Sequence, residues 1–143
     1  MSRGLEFAKS VLKTIATSPG FGRSMKGVHI LSAGDGKCKA QFTVAEEHLN
    51  MAGTLHGGFT STIIDCVSTY AVMTHKDCHP GVSVNLNVTF IKAAFPGETV
   101  TVDAQTVRAG KKLAFLAVEL TKNDGKDVVA RGEHTKYIAM PDG

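Results

Sequence analysis

The chain has no tryptophan, only three cysteines and four prolines, and little excess charge, and each scarcity removes a class of protein. Cys38, Cys66 and Cys78 are an odd set without CxxC spacing, so neither a disulfide framework nor a thiolate zinc site is indicated, and a reducing compartment fits best. No stretch approaches the roughly 20 apolar residues that a membrane-crossing helix needs, so no transmembrane segment is expected. A net charge of +3 and an aromatic content of 6% supply neither the field nor the stacking platforms of a nucleic-acid binder. Among His29, His48, His75, His79 and His134, only His75 and His79 stand four apart, and no Glu partners them, so no metal is expected and each reads as a surface or packing residue.

What remains is ordinary globular material. The 143 residues are 43% hydrophobic and 20% charged, which predicts one domain over residues 1–143 with one core. Residues 1–18 hold Arg3, Lys9 and Lys13 against a single acid and place Leu5, Ala8, Leu12 and Ile15 on one helical stripe. A docked helix over about 3–17, stopped by Ser18-Pro19-Gly20, is favoured over a mitochondrial presequence, whose Arg and Ser richness is missing. Cytoplasm is the expected compartment, with the mitochondrion as the alternative.

Val28 to Ala33 and Lys37 to Val44 flank Gly34-Asp35-Gly36 and read as a hairpin. A helix is expected over about 57–75, closed by Asp77 to Gly81. Val82 to Ile91 alternates Val84, Leu86, Val88 and Phe90 with polar residues, the period of a strand with one buried face. Turns at Phe95 to Glu98, Ala109 to Lys112 and Asn123 to Lys126 separate three more strands, Thr99 to Arg108, Leu113 to Lys122 and Asp127 to Tyr137. The fold class is therefore α+β, an antiparallel sheet of about six strands packed on one long central helix, plus the N-terminal helix.

The central helix holds the most informative chemistry. Phe59, Ile63, Cys66, Val67, Tyr70 and Ala71 lie broadly on one side, while Asp65 lies opposite among Ser61, Thr62, Ser68 and Thr69, on the face turned from the sheet. Such a stripe is most often a solvated surface. Two features argue otherwise here. No Lys, Arg or Glu occurs between Gly57 and Thr74, and His56-Gly57-Gly58 begins the helix where backbone NH groups lack helical partners and suit a developing oxyanion. Cys66 reads as a buried structural thiol, because no base is evident beside it.

Asn50-Met51-Ala52-Gly53-Thr54-Leu55-His56-Gly57-Gly58, then Asp65, then Pro80 to Asn87 resembles the hotdog-fold acyl-CoA thioesterases, a group that includes the phenylacetyl-CoA branch. The resemblance runs from the N-terminal helix to about Tyr137. It implies a hotdog fold, hydrolysis of a medium- or long-chain fatty acyl-CoA to acid and CoA, and no cofactor. It implies that the Gly57 NH and the Asn50 side chain polarise the thioester carbonyl, that Asp65 with Ser83 activates water, and that His56 lies near the leaving sulfur. The carboxylate is then expected beside a carbonyl whose oxygen rests on the start of the same helix.

The resemblance further implies CoA contacts from Asn85, from Phe90, Ile91, Lys92, Ala93, Ala94 and Phe95, from Arg108, Ala109, Gly110, Lys111, Lys112 and Leu113, and from Tyr137. On the residues alone the basic turn Arg108 to Lys112, with Lys92 and Lys136 at other strand ends, would be solvated charge. The resemblance also implies a homodimer with shared sites, commonly paired into a homotetramer. Acyl preference would depend on how Tyr70, Met73 and Phe90 meet a second subunit. The alternatives are an aromatic acyl-CoA thioesterase, a weakly active acyl-CoA or lipid binder, and an acyl hydratase, whose usual Pro-Gly-His-Phe-Pro loop is absent.

Overall fold

A computed structural model describes residues 3–76 and 78–139; Met1, Ser2, Asp77 and residues 140–143 lie outside the described residues. Helix α1 (Arg3–Thr17) leads through a short 3-10 turn at Phe21–Met25 into strands β1 (His29–Gly34) and β2 (Lys37–Thr43). After a second 3-10 turn, Glu46–His48, come helix α2 (Gly57–Met73) and strands β3 (Val82–Phe90), β4 (Thr99–Ala109), β5 (Leu113–Lys122) and β6 (Asp127–Tyr137). All six strands form one antiparallel sheet in the order β1-β2-β4-β5-β6-β3. The elements fall within a few residues of those expected from periodicity and turn chemistry.

Local sequence explains the elements. Asp35 and Gly36 have φ of 51° and 80°, the paired left-handed residues of a tight hairpin turn whose twist matches its strands. The α1 stripe docks on the β1 edge with Ala8 wholly buried and Leu12 nearly so, which is why a short helix of modest propensity persists. The core lies between α2 and the concave face of the sheet, around Phe42, Ile63, Ile64, Val67, Tyr70 and Leu120, each such aliphatic side chain contributing about 1.5–3 kcal/mol by its burial.

Two expectations fail, for related reasons. The sheet curls far around α2, so the buried arc includes Thr60, Ile64, Ser68 and Val72, while Phe59 and Cys66 are only partly covered. Ser68, expected outside with Asp65, is thus fully buried, which its hydrogen bonds make tolerable. Strand β3 in turn has no buried face: it pairs only with β6 and leaves Val84 61% exposed and Phe90 58% exposed. A register shift between Ser83 and Asn85 also breaks its alternation, bringing Ser83 onto the helix side.

Candidate active site

Asn50 and Gly57 meet at the N-terminal end of α2. The loop is closed by Asn50 N–H donating to Thr54 O (2.8 Å) and Gly53 N–H donating to Asn50 O (3.0 Å). Asn50 Oδ1 accepts from the Ala52 and Thr54 backbone N–H groups at 3.0 and 3.1 Å, which identifies that atom as oxygen. Nδ2 then faces Thr54 Oγ1 at 3.0 Å and keeps a second proton for a ligand. Gly57 contributes a first-turn N–H, and a Cβ there would lie 3.2 Å from the Phe90 ring, so the glycine lets that ring close over the helix end. Asn50, Gly57, Phe90, Ile91, Lys92, Ala93 and Ala94 line one cleft of about 350 Å³.

His56 has a local task. Its Nδ1 accepts the Gly58 N–H at 2.7 Å, capping α2 and leaving the ring proton on Nε2 of this exposed residue. The wall opposite is clamped from below. Buried Lys122 donates to Ala93 O (2.8 Å) and Glu98 Oε1 (3.0 Å), Glu98 Oε1 accepts from Phe95 N–H (2.7 Å), and Leu55 N–H donates to Ala94 O (2.8 Å). Lys92, read from sequence as free positive charge, is paired with Asp127 at 2.9 Å.

Asp65 belongs to a second cluster, at the middle of α2. Its side chain is 47% exposed, and one carboxylate oxygen lies 3.9 Å from His134 Nε2. His134, wholly buried on β6, joins Ser68 Oγ at Nδ1 (2.8 Å) and Ser83 Oγ at Nε2 (2.7 Å). Ser68 donates its proton to the Asp65 carbonyl oxygen (3.1 Å) and so accepts from His134 Nδ1–H; this assigns Nε2 as acceptor of the Ser83 hydroxyl. Burial, then the Lys136 ammonium, hold His134 below the usual histidine range, while Asp65 pulls it upward, so the imidazole is neutral near pH 7.

The sequence reads His134 as a surface or packing residue and Lys136 as charge at a strand end, and neither as part of a catalytic cluster. Lys136 does not end a strand in solvent: it is buried, with Nζ donating to Thr69 Oγ1 at 2.6 Å. The available signal was the β6 alternation, in which Gly132, His134 and Lys136 take the inward positions. Gly132 lets α2 settle there, since a Cβ would stand 2.8 Å from Ile64 Cγ2. Cys66, expected as a buried structural thiol, is only partly covered, and burial and the adjacent Asp65 push its thiol up to about 11.

The two clusters do not meet within one chain. Gly57 and Asp65 are eight residues apart on a straight helix, about 12 Å along its axis, too far to share one carbonyl. The expected neighbourhood of base and oxyanion donors is therefore absent from a single subunit. The CoA candidates divide likewise. Phe90 pairs with Ala130, whereas Leu113 pairs with Tyr137 at the far end of β6, about 23 Å away along the strand. The turn Arg108 to Lys112 and Leu113 are exposed there beside Tyr137, and Asn85 lies exposed on β3. Tyr70 lies inside the core, away from any acyl pocket open in one chain. No group of metal-ligating side chains occurs among the described residues.

A family model for the thioesterase superfamily matches residues 52–129. Acyl-coenzyme A thioesterase 13 of Mus musculus is 38% identical over 138 residues, covering 96% of this chain and 99% of that protein. The crystal structure of zebra fish thioesterase superfamily member 2 aligns with a TM-score of 0.91 at 41% identity, over 96% of this chain and 100% of that one. A hypothetical thioesterase of Streptococcus pneumoniae solved with coenzyme A shares the fold, with a TM-score of 0.74 at 23% identity over 79% of this chain and 89% of that one.

Proposed function

The chain belongs to the thioesterase superfamily with a hotdog fold, and on that premise we propose that it is an acyl-CoA thioesterase whose active site is completed by a second copy of itself. The observation that carries this reading is the division of labour along α2: oxyanion donors at its start, a half-exposed carboxylate two turns on, and a bare sheet edge, β3, beside both. Unpaired β3 offers its backbone groups with Val84, Leu86 and Phe90 to an equivalent edge. Pairing the two edges about a two-fold axis would bring the helix start of one copy toward the helix middle of the other.

In such a site the Gly57 N–H and Asn50 Nδ2 receive the thioester oxygen, and Asp65 of the facing copy takes a proton from water as it attacks the carbonyl carbon. The Ser83 hydroxyl, committed as donor to His134, presents its lone pairs to that water and orients it. Collapse of the tetrahedral adduct expels CoA thiolate, a leaving group good enough to need no metal. The exposed turn Arg108 to Lys112, with Tyr137, and the clamped segment Phe90 to Phe95 would receive CoA from different subunits, as their separation within one chain suggests. Medium- or long-chain fatty acyl groups are the proposed cargo, and a panel of acyl-CoAs including aromatic ones tests it by the rate of thiol release.

A mixed-chain experiment tests the shared site. D65N and N50A chains are each expected to be nearly inactive alone. Refolded together in equal amounts, they would regain roughly a quarter of wild-type activity, because half the two-fold dimers are mixed and each holds one intact site. No recovery in verified mixed dimers would place the whole site in one chain.

A further inference from the structure

Hydrogen bonds inside the loop before α2 aim the Asn50 and Gly57 donors relative to one another, but they do not station that loop against the rest of the cleft. Two backbone bonds do: Leu55 N–H donates to Ala94 O and His56 N–H donates to His48 O, both at 2.8 Å and both just before Gly57. Each anchor lies in irregular chain. Ala94 belongs to the crossover from β3 to β4, which leaves the sheet after the Ile91 and Lys92 N–H groups donate to Val129 O and then passes the ends of β6 and β5. His48 belongs to the 3-10 turn after β2. Backbone groups in such segments must find partners outside any ladder.

Both anchors lead back to one ion pair. Lys122 is the last residue of β5, and the three protons of its buried ammonium have three acceptors within reach: Ala93 O at 2.8 Å, Glu98 Oε1 at 3.0 Å and the face of the Phe95 ring, whose centroid lies 5.3 Å away. Glu98 Oε1 also accepts the Phe95 N–H at 2.7 Å, and the Glu98 N–H donates to Phe95 O at 3.0 Å, which closes the turn after Ala94. The same turn grips the other anchor. Val44 N–H donates to Glu98 O and Gly97 N–H donates to Val44 O, each at 2.9 Å, fixing the chain that runs from Val44 into the His48 turn.

We propose that Lys122 and Glu98 form the positioning device of the oxyanion end of the proposed thioesterase site: they hold the Ala93-Ala94 wall and the Val44 to His48 chain, and through the bonds of these to Leu55 and His56 they station the Gly57 N–H and the Asn50 amide where the thioester oxygen is received. Neither residue touches a reacting atom. An ammonium suits the place because one compact group satisfies a carbonyl, a carboxylate and a ring at once, whereas an apolar side chain of the same length leaves Ala93 O without its donor. Donors for an oxyanion act only when held within a fraction of an ångström of the productive geometry, so slack in this wall reaches the chemistry without any change in the donors themselves.

The test compares kcat and KM for acyl-CoA thiol release in wild type, K122M/E98Q and N50A, with hydrogen exchange of residues 50–58 followed by mass spectrometry. The double variant replaces a buried ion pair by neutral groups of similar size, so the fold is expected to persist, and Glu98→Gln retains an acceptor for the Phe95 N–H. In K122M/E98Q kcat is expected to fall roughly 10- to 100-fold with KM little changed, and exchange in residues 50–58 to quicken while β4 and β5 exchange as in wild type. Wild-type kcat would overturn the proposal. So would a rise in KM alone, which makes the wall a CoA-holding element, or a fall in kcat with faster exchange across the whole sheet, which makes the pair a general stabiliser. If the double variant does not fold, K122M alone is read the same way, and failure of both to fold ends the proposal. The inference rests on the oxyanion reading: wild-type turnover in N50A removes that reading and this inference with it, whereas an impaired N50A beside wild-type kcat in K122M/E98Q removes this inference alone.

Discussion

The two ends of the proposed chemistry on α2 are built in opposite ways. At the helix start the donors are backbone or backbone-held: the Gly57 N–H, and an Asn50 amide fixed by the N–H groups of Ala52 and Thr54. Their direction is set by loop geometry within a few residues. At the helix middle the carboxylate stands beside a chain of side chains from three elements, Ser68 on α2, His134 on β6 and Ser83 on β3, whose two hydrogen bonds span 66 and 51 residues of sequence. An oxyanion needs fixed dipoles, which local backbone supplies, whereas a base needs a controlled protonation state, which only a three-dimensional arrangement of charge and burial can set.

Three substitutions sharpen that contrast. The largest effect is expected for Asp65→Asn, which keeps shape and removes the base: kcat for thiol release falls about 10³-fold while the affinity for CoA, measured calorimetrically, stays. Wild-type turnover would break the division of roles. Asn50→Ala is expected to lower kcat on the order of 10²-fold and to leave the acidic limb of the pH profile where it was, since the base cluster is untouched. A shift of that limb would mean the two regions are not separate.

The smallest effect is on stability. Gly132→Ala puts a methyl 2.8 Å from Ile64 Cγ2, directly beneath the middle of α2, and is expected to destabilise the fold by about 1–3 kcal/mol, read from denaturant midpoints. Because the intruding atom lies two turns from the loop at Asn50, activity should fall through the Asp65 and His134 geometry while the response to N50A remains additive. Strong coupling between G132A and N50A would say that α2 moves as one rigid body.

Much of the molecule was legible from short-range signals. Gly34-Asp35-Gly36 marks the first hairpin, Asn123 to Lys126 the last, and His56-Gly57-Gly58 a helix start with unspent N–H groups, because turn and cap chemistry act over three or four residues. Gly57 could be named on the same basis and Asp65 from its place among hydroxyls on the helix, whereas Asn50 came through the resemblance. His134 and Lys136 could not: a histidine and a lysine on a strand look like surface residues until the strand is known to lie under a helix. Ser83 was nameable only through resemblance, since its inward turn depends on a bulge at Val84 that no alternation pattern announces.

Sequence alone thus determined the order and extent of the elements and the chemical character of the helix, through periodicity, capping and turn propensity. The tertiary structure decided which residues are neighbours. It sent β3 past β1 and β2 to the far edge beside β6, wrapped the sheet around Ser68, buried an imidazole beside the Asp65 carboxylate and tied a buried ammonium to Thr69. Those outcomes follow from packing between residues far apart in the chain, where the energy of a contact depends on what surrounds it and cannot be read from either partner alone.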